Sequence, residues 1–105
     1  MAVEEVDLAG LERFVSREPL VLVDFWGPMC APCRVLKPHL ARLADEHAGR
    51  VSVVAINAQR ETDAAERFAV RGIPTLVLFR EGAEATRLTG SVLPSQVARL
   101  LAEAT

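Results

Sequence analysis

Leu20-Val21-Leu22-Val23-Asp24-Phe25-Trp26 leads through Gly27-Pro28-Met29 into Cys30-Ala31-Pro32-Cys33, and this stretch organises the reading of the whole chain. Its first part is β-prone and apolar without polar alternation, as expected of a central strand covered on both faces. Asp24 is the exception within it. From Cys30 onward the period changes: Leu36, Leu40, Leu43 and His47 recur on one face of a helix predicted to run to about Ala48, where Gly49 ends it. Pro38 falls inside that helix, removes one backbone donor and is expected to kink the axis. Both cysteines of the chain thus lie in the first turn of a helix at the end of a buried strand.

Upstream, Leu8, Leu11, Phe14 and Val15 fall at helical spacing and Pro19 closes the segment, which predicts a helix over 8–17 after a short strand near 3–6. Downstream, Val51 to Asn57 reads as a buried strand that a parallel crossover would join to the first. A helix near 62–69 should turn Ala65, Phe68 and Ala69 inward. Thr75 to Arg80 is another strand, and Glu81-Gly82 turns it into a weaker edge strand near 84–89. A last helix from about Pro94 should bury Val97, Leu100 and Leu101. The resulting order, βαβαβαββα, predicts an α/β domain spanning 1–105 with the dithiol at the carboxyl end of a central strand, where open α/β sheets place their chemistry.

At 105 residues, half of them apolar, the chain can bury a core without covalent staples. The net charge of −2 is spread without a basic stripe, so neither nucleic acid nor an anionic membrane surface is an expected partner. Met1 to Asp7 is acidic and does not read as a secretory signal. No run approaches the roughly 18–20 apolar residues that span a bilayer. A cytoplasmic location is therefore expected. Two cysteines three positions apart close no long loop, so in a reducing compartment the pair is catalytic, sensory or metal-binding.

A cysteine at a helix N-terminus meets unpaired amides and the positive end of the helix dipole, which favour its thiolate. Cys30 is the candidate nucleophile toward a substrate disulfide, and Cys33, one turn deeper and less exposed, the candidate resolving thiol. Pro32 suits the first helical turn and stiffens the loop between the sulfurs. A zinc site is the bland alternative, disfavoured because His39 and His47 lie on the same predicted helix as the thiols, where four ligands do not easily converge tetrahedrally. Asp24, buried on a strand that leads to the dithiol, should have a raised pKa and can act as the acid/base for Cys33; satisfaction by backbone amides or a nearby Arg is the alternative. Gly72-Ile73-Pro74-Thr75 places a proline at a strand entry, cis or trans.

Along nearly its whole length the chain resembles the thioredoxin family. The resemblance rests on Val23-Asp24-Phe25-Trp26, the Cys30-Ala31-Pro32-Cys33 dithiol with Arg34, Pro38, Asn57, the run Val70 to Thr75, Phe79, Gly82 and Gly90. It implies the thioredoxin fold, a central mixed five-stranded sheet flanked by four helices, with Cys30 exposed and Asp24 buried behind the pair. It also implies a cis Pro74 facing the dithiol, with the backbone of Ile73 pairing to an extended substrate segment. A shallow substrate groove would be bordered by Trp26, Gly72, Ile73 and Gly90, with Met29, Ala31, Pro32 and Pro74 also on the substrate-binding surface. Met29 stands where family members usually carry Trp, Ala31 where Gly is more common, and Ala55 where a lysine often sits near the buried aspartate. The last change removes a positive charge and should leave the Asp24 pKa freer to rise.

The function expected is that of a monomeric protein-disulfide reductase acting on disulfide-containing proteins. It would bind no cofactor or metal of its own and would be re-reduced by a thioredoxin reductase, a flavin enzyme drawing on NADPH. A more oxidising oxidase or isomerase on the same fold, and a binding or chaperone module with an incidental dithiol, are the rival readings.

Overall fold

A computed structural model describes residues 3–105, so Met1 and Ala2, at the start of the predicted 1–105 domain and N-terminal segment, lie outside it. Strands β1 (Val3–Glu5), β2 (Leu20–Trp26), β3 (Ser52–Asn57), β4 (Thr75–Arg80) and β5 (Ala83–Thr89) alternate with helices α1 (Leu8–Arg17), α2 (Ala31–Glu46), α3 (Thr62–Arg67) and α4 (Pro94–Ala104) in the order βαβαβαββα. The sheet order is β1-β3-β2-β4-β5. β1 and β2 flank β3 in parallel, and β4 and β5 add antiparallel, giving the mixed five-stranded sheet expected. β2 sits in the middle because its residues through Phe25 are buried on both faces.

Alternation along β2 divides the core in two. Leu20 and Leu22 pack with Leu36, Leu40, Leu43, Val97 and Leu101 beneath α2 and α4. Val21, Val23 and Phe25 pack with Leu11, Val54, Ile56 and Phe79 beneath α1 and α3. Each such side chain contributes about 1.5–3 kcal/mol by leaving water. Asp24 and Trp26 continue the first face, toward the end of the strand from which the dithiol emerges.

Local chemistry explains most of the boundaries. Asp7 caps α1 by accepting a hydrogen bond from the Gly10 N–H at 2.8 Å. Glu81 (φ 51°) and Gly82 (φ 84°) make the two-residue turn of the β4–β5 hairpin, and the Glu81 N–H ties it to Pro19 O at 2.9 Å. α2 ends at Glu46, slightly before the predicted Ala48, with Gly49 at φ 85° beyond it. Pro38 is accommodated within a continuous helix.

α3 differs from expectation. It ends at Arg67 rather than residue 69, its fully buried side chain is Ala64, and Ala69 is exposed at φ 54°. Ala65 and Phe68 are half-buried, with the Phe68 ring edge-on to Phe79 at 5.6 Å. The early stop is a Schellman turn: Ala69 takes the left-handed conformation, and the N–H groups of Ala69 and Val70 donate to Glu66 O at 3.2 Å and Ala65 O at 2.8 Å. The Arg87 guanidinium of β5 donates to the carbonyls just beyond the helix, Phe68 at 2.8 Å and Ala69 at 3.2 Å.

Candidate active site

Cys30 is the N-cap of α2, with extended backbone angles, and its Sγ accepts a hydrogen bond from the Cys33 N–H at 3.2 Å. That amide belongs to the unpaired first turn of the helix, so a donor and the helix dipole both point at the sulfur. The two cysteines are joined in a disulfide, with Cα atoms 5.3 Å apart. The expected contrast in exposure is small in this oxidised form: Cys30 is 7% exposed and Cys33 4%, so Cys30 is buried rather than exposed.

The loop before the dithiol is held from two sides. The Arg34 guanidinium donates to Pro28 O at 2.9 Å, and the Met29 N–H donates to the Gln59 side chain at 3.3 Å. A Cβ on Gly27 would meet the Gln59 side chain, which would have to shift from its place beside the Met29 N–H. These contacts leave the Met29 side chain 84% exposed beside the dithiol.

The remaining candidates gather at the same end of the sheet. Phe25 pairs with Thr75 and Thr75 with Thr89, so Trp26, Pro74 and Gly90 fall at neighbouring strand ends. The Ile73–Pro74 bond is cis. Thr75 fixes the approach to it, its buried hydroxyl donating to Gly72 O at 2.6 Å. Gly72 and Gly90 are exposed, Ile73 is half-buried and Pro74 buried, while Ala31 and Pro32 are exposed on the first turn of α2. Of these surface candidates, Trp26 alone also lines the cavity behind the dithiol.

That cavity, about 670 Å³, lies between β1, β2, β3 and α2. Cys33 and Asp24 both line it. Burial pushes the Asp24 carboxyl from its ordinary 3.8 up to about 7; the Glu5 carboxylate adds to the rise, and the Lys37 ammonium opposes it. Its Oδ1 has no hydrogen-bond partner among the described residues, so the alternative of an Asp24 satisfied by amides or an Arg is not what the structure contains. As expected, Ala55 brings no positive charge to the cavity and the Asp24 pKa is raised; the cation that opposes the rise is Lys37 of α2.

Glu5, Lys37 and Gln59 escaped the sequence reading. Lys37 was within reach of it, four residues after Cys33 and so on the same helix face. Glu5 and Gln59 became visible only through the pairing of β1 with β3 and the loop after β3.

His47 Nδ1 lies 2.9 Å from Leu43 O, and His39 is on the same helix. Among the described residues no group of three or more His, Cys, Asp or Glu could share a metal ion, and no helix is long and apolar enough to cross a membrane.

Residues 2–103 match the thioredoxin family model. The chain belongs to the thioredoxin family. It is 36% identical over 102 residues to a thioredoxin of Pyropia yezoensis, covering 96% of this chain and 95% of that one. It is 30% identical over 100 residues to thioredoxin 1 of Nostoc, covering 95% and 94%. A thioredoxin mutant from Halobacterium salinarum is structurally similar, with 29% identity and a TM-score of 0.89 over 98% of this chain and 90% of that one. With a disulfide-forming dithiol at the thioredoxin position, the chain is a protein-disulfide oxidoreductase.

Proposed function

We propose that this thioredoxin-family protein is a reductase of protein disulfides, with Cys30 as nucleophile, Cys33 as resolving thiol and Asp24 as acid/base. The observation that carries the reading is the dithiol at the α2 N-terminus with an unpartnered, buried carboxyl sharing the cavity beneath Cys33. In the reduced form the Cys30 thiolate attacks a substrate disulfide, forming a mixed disulfide and releasing one substrate sulfur as thiolate. The ionised Asp24 carboxylate then takes the Cys33 proton. The Cys33 thiolate attacks Cys30 Sγ, restores the 30–33 disulfide and releases the second substrate thiolate. The two substrate thiolates end as thiols, and the protons lost by this protein balance them.

Substrate is held against Trp26, Met29, Ala31, Pro32, Gly72, Ile73, Pro74 and Gly90. Ile73 makes no backbone hydrogen bond to another described residue, which supports strand addition there by an extended segment of the substrate. Main-chain pairing ignores side-chain identity and suits a broad set of protein substrates. The oxidised protein is returned to the dithiol by an NADPH-dependent flavin reductase. The chain works as one monomeric domain, in the cytoplasm, where a reducing environment keeps the pair poised.

Insulin disulfide reduction tests the reading. Cys30→Ser is expected to abolish it, and Cys33→Ser to accumulate a mixed disulfide that a gel without reductant detects. Full activity in Cys30→Ser would overturn the mechanism. Failure of the wild-type protein to turn over with NADPH and a thioredoxin reductase would remove the reductase from it.

A further inference from the structure

Strand register puts two acids and one alanine on a single line. Glu5 pairs with Ala55, and Ala55 with Asp24, so the carboxyl groups of β1 and β2 look into the same cavity across a methyl group. Glu5 is fixed there, because its carboxylate accepts the indole N–H of Trp26 at 2.8 Å. Lys37 closes the other wall from α2, its ammonium 5.5 Å from the Trp26 ring centroid, and so the same indole positions both charges. β3 brings no charge to the cavity, only Ala55; α2 brings Cys33, Arg34 and Asp45 in addition to Lys37.

We propose that Glu5 and Lys37 are positioning residues of the resolving step, acting on Asp24 from opposite walls of this cavity. The proposal rests on Asp24 serving Cys33 as acid/base. Neither residue touches the sulfurs in this role. Glu5, as an anion, makes the ionised form of Asp24 less favourable, so Asp24 holds its proton to higher pH. Lys37 works against it and maintains a fraction of ionised Asp24 that can accept the Cys33 proton near neutrality. With no charge on the intervening strand, the balance between an acid on β1 and a base on α2 sets that fraction. Trp26, which keeps Glu5 at the mouth of the cavity, connects the balance to the substrate-facing surface.

The Asp24 carboxyl carbon, followed by NMR across pH in the oxidised full chain, reads this directly. Glu5 and Asp24 lie two strands apart, about 10 Å, so Glu5→Gln should lower the Asp24 midpoint by about 0.5 to 1 pH unit. Gln retains an acceptor for the indole, which separates charge from geometry. Lys37→Met should raise the midpoint by a similar amount, and the pH profile of mixed-disulfide resolution should move with it in each variant. Opposite displacements in these directions support the proposal; a midpoint unmoved in either variant, or both moved the same way, overturns it. The reading beneath it fails separately: if Asp24→Asn resolves the mixed disulfide at the wild-type rate across pH, Asp24 is not the acid/base, whatever its midpoint does.

Discussion

The two faces of β2 are both largely buried, but they diverge in chemistry toward the dithiol end. On the α1/α3 face, Val21, Val23 and Phe25 meet an aliphatic and aromatic core in which Phe68 bridges Phe25 and Phe79. On the α2/α4 face the strand starts the same way, with Leu20 and Leu22, then changes to Asp24 and Trp26 as it nears the dithiol. The first face is filled. The second contains a cavity and an unpartnered carboxyl oxygen. Both faces carry an apolar core, and the contrast lies at the dithiol end of the second, where burial of Asp24 is costly.

The strongest way to break this contrast is to damage the filled face. Phe25→Ala should cost about 3–5 kcal/mol in chemical denaturation, because the void cannot collapse around a rigid central strand. A loss under about 1 kcal/mol would mean that this face is not tightly packed around Phe25.

Next in size is the cost of the carboxyl. Its folded pKa lies above its unfolded value, so between about pH 4 and 7 the native state holds a proton that the unfolded chain has lost. Stability contributed through Asp24 therefore falls as pH rises through that window. Asp24→Asn should stabilise the oxidised protein by as much as about 4 kcal/mol at pH 8 and by little at pH 4, as unfolding curves at the two pH values would show. An equal gain at both pH values would indicate a packing effect unrelated to charge.

The smallest effect sharpens the comparison on the neighbouring strand. Ile56 faces the filled core and Ala55 the cavity. Ile56→Val should cost about 0.5–1.5 kcal/mol, whereas Ala55→Val, adding methyl groups to open space, should change stability by less than about 0.5 kcal/mol. A large loss for Ala55→Val would mean the cavity walls cannot accept a side chain.

Much of this arrangement was legible from the chain. The unbroken run 20–26, the change of period at Cys30 and the order of elements suffice for the sheet, the crossover and the place of the dithiol, because each depends on local pattern. Asp24 stood out as the one charge in an apolar run. α3 stops at Arg67, short of the expected residue 69, because Ala69 turns left-handed and closes a Schellman motif, a conformation that the apolar spacing of Ala65, Phe68 and Ala69 does not announce. Exposure of Cys30 was what the family resemblance implied; in the disulfide-bonded structure it is 7% exposed at the N-cap of α2, a burial decided by how the loop and helix pack.

Sequence alone was enough to establish a dithiol at a helix start, an acid behind it and the strand that joins them, since these are neighbours along the backbone. Folding added the company the acid keeps. Glu5 and Lys37 come within range of Asp24 only when β1 pairs with β3 and α2 packs on the sheet. Charge interactions act through space, and the charge state of a buried group follows from residues that no reading along the chain brings together.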